Sequence, residues 1–239
     1  MKFDDIKKLH QKKYRDELGH FLVEGEHLVL ELQKAAATQP ALRNSKLYVT
    51  DGHEKWSSPF ETHVVSNRRM EEMSETRTPQ GIVALVPILP APAANATTRA
   101  IYLYEIQDPG NLGTVLRTLA WFGNLRCLLS PGSVDPYNSK VLRASAGAIF
   151  HVPVETDVPV AALASRFRRV GCLDMRGESL QSPGFRECDC YVFGNEARGV
   201  PRADLEPLKA SFFSIPGSGA IESLNVASAV NMCVYEMNR

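Results

Sequence analysis

Residues 212–225, FFSIPGSGAIESLN, constrain this chain more than any other stretch. The apolar run over 211–215 reads as a short buried strand, and Pro216-Gly217-Ser218-Gly219 makes a loop that no regular element passes through. The pattern predicts a helix from Ile221 onward, with Val226, Ala227, Val230, Cys233, Val234 and Met237 recurring on one 3.6-residue face. That face needs a core to lie on. Periodicity leaves Glu222, Ser223 and Asn225 unexplained at the first turn, where free backbone N–H groups and the positive end of the helix dipole await a ligand or a cap. Ser223 fits either use, as an N-cap or as part of a site.

Two earlier stretches have the same character. The strand 191–193 stops at Gly194 and then presents Asn195, Glu196 and Arg198 before a second glycine. The strand 101–106 breaks at Pro109-Gly110, and Asn111 precedes, and is placed to cap, a helix over 112–122 that carries Arg117. In an open α/β sheet, residues just beyond the carboxyl ends of different strands meet outside the sheet, so three such ends imply one shared site.

The order of elements supports such a sheet. A first α/β unit is expected over 1–86, with helices over 3–18, 25–34 and 68–73 and strands near 21–24, 47–49, 63–65 and 81–86. Residues 87–98 are rich in proline and alanine and carry no charge, the composition of a semi-rigid extended linker. Over 99–239, strands at 101–106, 125–129, 150–154, 170–173, 191–193 and 211–215 alternate with helices near 112–122, 138–146 and 160–168 and a last one from 221. This predicts an α/β fold with a mostly parallel sheet covered on both faces.

Composition narrows the function. At 239 residues, 44% apolar and 23% charged, the chain reads as a globular protein with room for one large or two modest domains. No apolar run reaches the roughly 20 residues of a membrane helix, and the charged start is unlike a signal peptide, so a cytoplasmic location is expected. Five cysteines without repeated pair spacing suit reduced thiols. Cys188-Asp189-Cys190 and the scattered histidines supply no metal-ligand set. Formal net charge is zero, which counts mildly against RNA, yet Lys7, Lys8, Lys12, Lys13 and Arg15 cluster, as do Arg166, Arg168 and Arg169. Each cluster reads as a phosphate-binding patch or as a solvated helix face. There is no G-x-G-x-x-G after the first strand of the second half, which weighs against an ordinary dinucleotide site and an oxidoreductase.

Three motifs in order, NLGTVLR with WFG (Asn111, Gly113, Arg117, Phe122, Gly123), FGNEARG (193–199) and IPGSGAIESLNVA (215–227), resemble those of the SpoU, or TrmH, branch of the SPOUT RNA methyltransferases. Leu119 and Ala197 stand where the family more often has alanine and glycine. The resemblance implies a C-terminal trefoil knot holding S-adenosylmethionine, a homodimer with active sites at the subunit interface, and methyl transfer to a ribose 2′-hydroxyl. FLVEGEHLVLE resembles the small domain, similar in fold to certain ribosomal proteins, with which such enzymes grip RNA; without that role the lobe would only stabilise a dimer.

By the same resemblance Asn111, Arg117, Glu196, Ser223 and Asn225 are the catalytic candidates. Gly194, Ile215, Pro216 and Leu224 would frame the cofactor, largely through backbone groups. On the helix 112–122 the apolar face leaves Arg117 pointing away, suited to ribose or phosphate, or else to a surface salt bridge. Ribosomal RNA is favoured over transfer RNA as partner. The alternatives are a transfer RNA 2′-O-methyltransferase or an inactive RNA-binding protein of the same fold.

Overall fold

The computed structural model describes residues 1–89, 99–195 and 197–239, which form two compact units. The first joins Met1–Pro90 to Asp135–His151; the second joins Ala91–Val134 to Val152–Arg239. Most of the expected linker, from residue 90 to 98, and the candidate Glu196 lie outside the described residues.

In the first unit, α1 (Phe3–Lys8) and α2 (Lys12–Leu18) replace the single helix expected over 3–18. The break has a cause in Arg15, whose buried guanidinium donates to the Leu9 carbonyl at 2.7 Å while Gln11 turns extended. Gly19 ends α2 with φ 66°, a left-handed conformation that glycine enters freely. There follow β1 (His20–Glu24), α3 (Glu26–Thr38), β2 (Lys46–Val49), β3 (Glu61–Val64), α4 (Asn67–Met73) and β4 (Ile82–Pro87). They form a sheet of order β1-β4-β2-β3 in which β4 runs antiparallel to both neighbours and β2 pairs β3 in parallel. The central β4 is buried from Ile82 to Val86, which explains its unbroken apolar run. On one face Ile6, Leu9, Met70 and Met73 pack with Tyr48, Val83 and Leu85.

The second unit begins with β5 (Arg99–Leu103), α5 (Pro109–Phe122) and β6 (Leu125–Leu129). The chain then supplies α6 (Ser139–Ser145), which belongs to the first unit. It resumes with β7 (Val154–Glu155), α7 (Leu163–Arg166), β8 (Val170–Ser179), α8 (Pro183–Arg186), β9 (Cys190–Phe193), α9 (Arg202–Leu205), β10 (Ser211–Ser214) and α10 (Val226–Asn238). The six strands are all parallel, in the order β10-β8-β9-β5-β6-β7. Ala100, Tyr102, Leu128, Cys172, Cys190 and Val192 point to one face and meet Leu163, Phe167, Leu205 and Leu208. Alternation sends Ile101, Leu103 and Tyr191 to the other, and α5 packs on α10 and on β6.

Several element ends differ from expectation. Of the strand expected over 150–154 only the end forms, β7 starting at Val154; Phe150 closes a 3₁₀ turn over 148–150, and its carbonyl accepts from Gln39 Nε2 at 2.5 Å. β5 stops at Leu103, because Glu105 takes a left-handed conformation (φ 47°) and its N–H donates to Ser130 Oγ at 2.7 Å. β8 runs on to Ser179, pairing with β10 past a register shift at Phe212 and Phe213. No helix among the described residues is long and apolar enough to cross a membrane.

Candidate active site at three strand ends

The site grows from the carboxyl ends of β5, β9 and β10. After β5, Asp108 rather than Asn111 caps α5: its carboxylate accepts from the Asn111 N–H at 2.7 Å, and Pro109 opens the helix, where a missing N–H costs nothing. Asn111 therefore sits inside the first turn of the helix and not at its cap. After β10, the expected helix from Ile221 does not form. Residues 215–225 are loop, and the helix starts at Val226 because Asn225 caps it, its Oδ1 accepting from the N–H groups of Ala227 (2.9 Å) and Ser228 (3.2 Å). The same Asn225 donates through Nδ2 to Asn111 Oδ1 at 2.9 Å. Two amides 114 residues apart thus tie together the N-termini of two packed helices, both with their positive dipole ends at this point.

The loop after β9 is built around Asn195, which is buried. Its Nδ2 donates to the Glu105 carbonyl at 2.9 Å, and its Oδ1 accepts from the N–H groups of Ala197 (3.0 Å) and Arg198 (3.2 Å). Asn195 and Gly199 also pair through the backbone, closing a tight loop. A Cβ on Gly194 would lie 2.5 Å from the Gly199 carbonyl carbon, so only glycine fits at the base of that loop. Arg198 reaches back to Glu105 at 2.6 Å. Asn195 and Glu105 therefore fix the position of the loop, a role the sequence reading did not assign; the signal for it was an asparagine directly after a strand-ending glycine.

The remaining candidates, Ile215 apart, are exposed. Arg117, one and two-thirds turns beyond Asn111, has no hydrogen bond or ion pair among the described residues, which removes the surface salt-bridge reading for that set. It shares its stripe of α5 with Thr114 and Trp121, the latter 85% exposed. Ser223 is not the helix cap, and among the described residues it bonds to neither asparagine. Ile215 is half-buried, while Pro216 and Leu224 face solvent. Among the described residues, backbone groups of 215–224 make no main-chain hydrogen bond, which leaves N–H donors and carbonyls beside apolar side chains.

The charge clusters are not open cationic patches. Lys7 pairs with Asp4 and Glu72, Lys8 with Asp5 and Lys12 with Asp16; Arg15 is buried against Asp135. Arg166 grips Glu155 with two bonds of 2.8 and 2.6 Å, holding that carboxyl below its ordinary range, and Arg169 pairs with Glu187. Of the two clusters, only Lys13 and Arg168 keep side chains without an acidic partner among the described residues.

Residues 98–235 match the SpoU rRNA Methylase family, and residues 2–84 match the MRM3-like substrate binding domain. Over 241 residues the chain is 33% identical to the 23S rRNA (guanosine(2553)-2′-O)-methyltransferase RlmP of Bacillus subtilis, covering 99% of this chain and 95% of that one. A structure from Porphyromonas gingivalis assigned to the TrmH family of RNA methyltransferases has a TM-score of 0.83 at 30% identity, covering 98% and 96% of the two chains. The SpoU methyltransferase AviRb of Streptomyces viridochromogenes, solved with AdoMet, shares the fold at a TM-score of 0.80 and 20% identity, covering 99% and 96%. A parallel sheet whose strand ends are joined by paired asparagines, in a chain matched along nearly its whole length, leads to one assignment: this chain belongs to the SpoU rRNA methylase family.

Proposed function

We propose that the chain transfers a methyl group from S-adenosylmethionine to a ribose 2′-hydroxyl of ribosomal RNA. The observation that carries the reading is the Asn111–Asn225 bond, which brings two motifs of the family together at two helix N-termini. When bound, the cofactor supplies an electrophilic methyl on a sulfonium. The loop 215–224 suits such a group, since backbone donors and acceptors without main-chain partners, the Ala220 N–H held by Ser218 Oγ apart, recognise an adenine edge while Ile215 and Leu224 offer apolar contact. Gly194 and Pro216 shape the two loops that would frame it.

The chain's own work is positioning. A hydroxyl is a poor nucleophile, so it must be aimed in line and relieved of its proton. Asn111 and Asn225 are neutral amides with fixed orientation and suit the aiming. Arg117 is free to donate to the hydroxyl oxygen or an adjoining phosphate; its guanidinium stays protonated, so it stabilises developing negative charge while a phosphate oxygen of the RNA takes the proton. In this reading Glu196 orients Arg117 or fixes its own loop, and Ser223 brings a hydroxyl to the same place.

The family's trefoil knot in the C-terminal region, a cytoplasmic location and a ribosomal-protein-like fold for the first unit belong to the same reading. So does a homodimer, supported by Trp121 on α5 and by Met232 and Tyr235 on α10, which are 85%, 45% and 61% exposed. Such a contact would cover the stripe that carries Arg117. The decisive experiment is transfer of labelled methyl to unmodified ribosomal RNA and, separately, transfer RNA, with digestion to locate the label. Label on ribose of ribosomal RNA is the expected result. Label on transfer RNA alone would correct the substrate, and failure to bind the cofactor would leave an RNA-binding protein.

A further inference from the structure

Among the described residues, Arg126 is the one buried charge that the fold leaves without a partner. The other six buried polar or charged side chains in that set are all hydrogen-bonded. Arg126 is 7% exposed; its Nε is closed to solvent and unbonded, and its terminal nitrogens have no hydrogen bond or ion pair among the described residues. Folded proteins pair a buried charge or satisfy it with a bound group.

The surroundings hold the guanidinium in place without neutralising it. β6 presents Arg126 on the face that carries Ala100 and Leu128, and the register with β7 sets Glu155 opposite Leu128 on that same face. The guanidinium carbon lies over the Phe167 ring, 5.1 Å from its centre. Glu155 does not serve it, because both carboxylate oxygens are bonded to Arg166. Two guanidinium groups against one carboxylate leave one positive charge in excess. Burial, and then the charge of Arg166, hold Arg126 below the ordinary arginine range, yet a guanidinium starts so far above neutrality that it stays charged. Arg126 is also far from the chemistry. It stands near the amino end of β6, about 10 Å along the strand from Leu129, whereas the candidate active site lies at carboxyl ends.

The terminal nitrogens of a guanidinium form a fork that fits paired oxygens. Only a narrow edge of the residue is open here. A tetrahedral oxyanion meets the fork with two oxygens and keeps the others in the water outside; a carboxylate has none left over and brings an apolar stem to a charged edge. We infer that Arg126, backed by Phe167 and Arg166, binds a phosphate-class oxyanion at the amino end of the second unit's sheet. Free phosphate and the phosphodiester of an RNA strand share that chemistry, and the second source rests on the reading of the chain as an RNA methyltransferase.

Melting temperatures of full-length proteins test the site. Arg126→Met keeps an unbranched stem on Phe167 and removes the charge. In potassium chloride the variant should melt no lower than wild type, because an unpaired buried charge has gone. At equal ionic strength in about 20 mM potassium phosphate, wild type should gain about 3 °C or more, as for a millimolar site, and the variant less than about 1 °C. Arg126→Lys, which keeps the charge and loses the fork, should gain less than half of the wild-type shift. A methionine variant that melts well below wild type in chloride would make Arg126 a packing residue, and equal gains in all three proteins would make the shift a general effect of phosphate on burial; either overturns the site. Ribosomal RNA binding from about 50 to about 200 mM chloride identifies the source: an RNA phosphate makes the slope of log affinity against log salt shallower in Arg126→Met by close to one, and an unchanged slope assigns free phosphate. A protein that binds no RNA would lose the functional reading, while the phosphate shift would still decide this one.

Discussion

Replacing Arg15 by methionine should be the most damaging single change outside the sheet core. Its side chain is 5% exposed and that of Asp135 10% exposed, so the pair is desolvated on both sides. Arg15 donates through Nε at 2.8 Å and through Nη2 to Asp135 Oδ2, and through Nη1 to the Leu9 carbonyl. Removing one partner of a buried pair costs about 3–5 kcal/mol, chiefly for the charge left behind. Asp135 Oδ1 keeps one donor, the Tyr137 N–H at 3.0 Å, which argues for the lower end, about 3 kcal/mol. At about 2–4 °C per kcal/mol for a chain of this size, the melting temperature should fall by about 6–12 °C. Adding Asp135→Asn removes the stranded charge and keeps the acceptor for Tyr137, so the double variant should recover roughly half of the loss. Differential scanning calorimetry on the four proteins of this cycle gives the answer. A single variant that melts within 2 °C of wild type, or a double variant with additive losses, would refute the reasoning.

Other changes separate stability from activity. Arg117→Ala should leave the melting temperature unchanged, since the side chain is exposed and unpartnered among the described residues, yet lower labelled-methyl transfer at least a hundredfold; full transfer by a folded protein would remove Arg117 from the chemistry. Gly194→Ala forces a Cβ to within 2.5 Å of backbone at Gly199, so cofactor affinity measured by calorimetry should drop with little change in secondary structure by circular dichroism. The buried thiols give a pH signature. Burial raises Cys188 to about 11, and Cys127 and Cys172 to about 12, from an ordinary 9.0. A raised pKa means the folded state favours the protonated form, so stability is intact below about pH 9 and declines as pH climbs toward 11 and 12. Urea melts between pH 8 and 11 should show this, and a flat profile would contradict it.

The elements most legible in the sequence are those whose periodicity was unambiguous. β6 and β9 fall almost where their apolar runs lie, and α5 is identifiable from its buried Leu112, Val115, Leu116 and Leu119. What could not be read was competition for backbone groups. Asp108 took the cap expected of Asn111, and Asn225 started α10 at Val226, five residues later than the start expected at Ile221. The Asn111–Asn225 bond depends on strand order, which no local window carries. The lysine run over 7–13 left two readings open for a related reason: acidic residues three or four places away, or on α4, neutralise most of it.

The passage of residues 135–151 into the first unit has a practical consequence. α6 packs on β1, and the turn at 148–150 packs on α3, burying Val141, Leu142, Ile149 and Phe150. A hybrid that exchanges the first ninety residues for those of a relative, in order to redirect substrate choice, would set a foreign surface against this inserted segment. Such a graft should succeed only when the donor's equivalent of 135–151 travels with its lobe, so the functional module is discontinuous in the gene although compact in space.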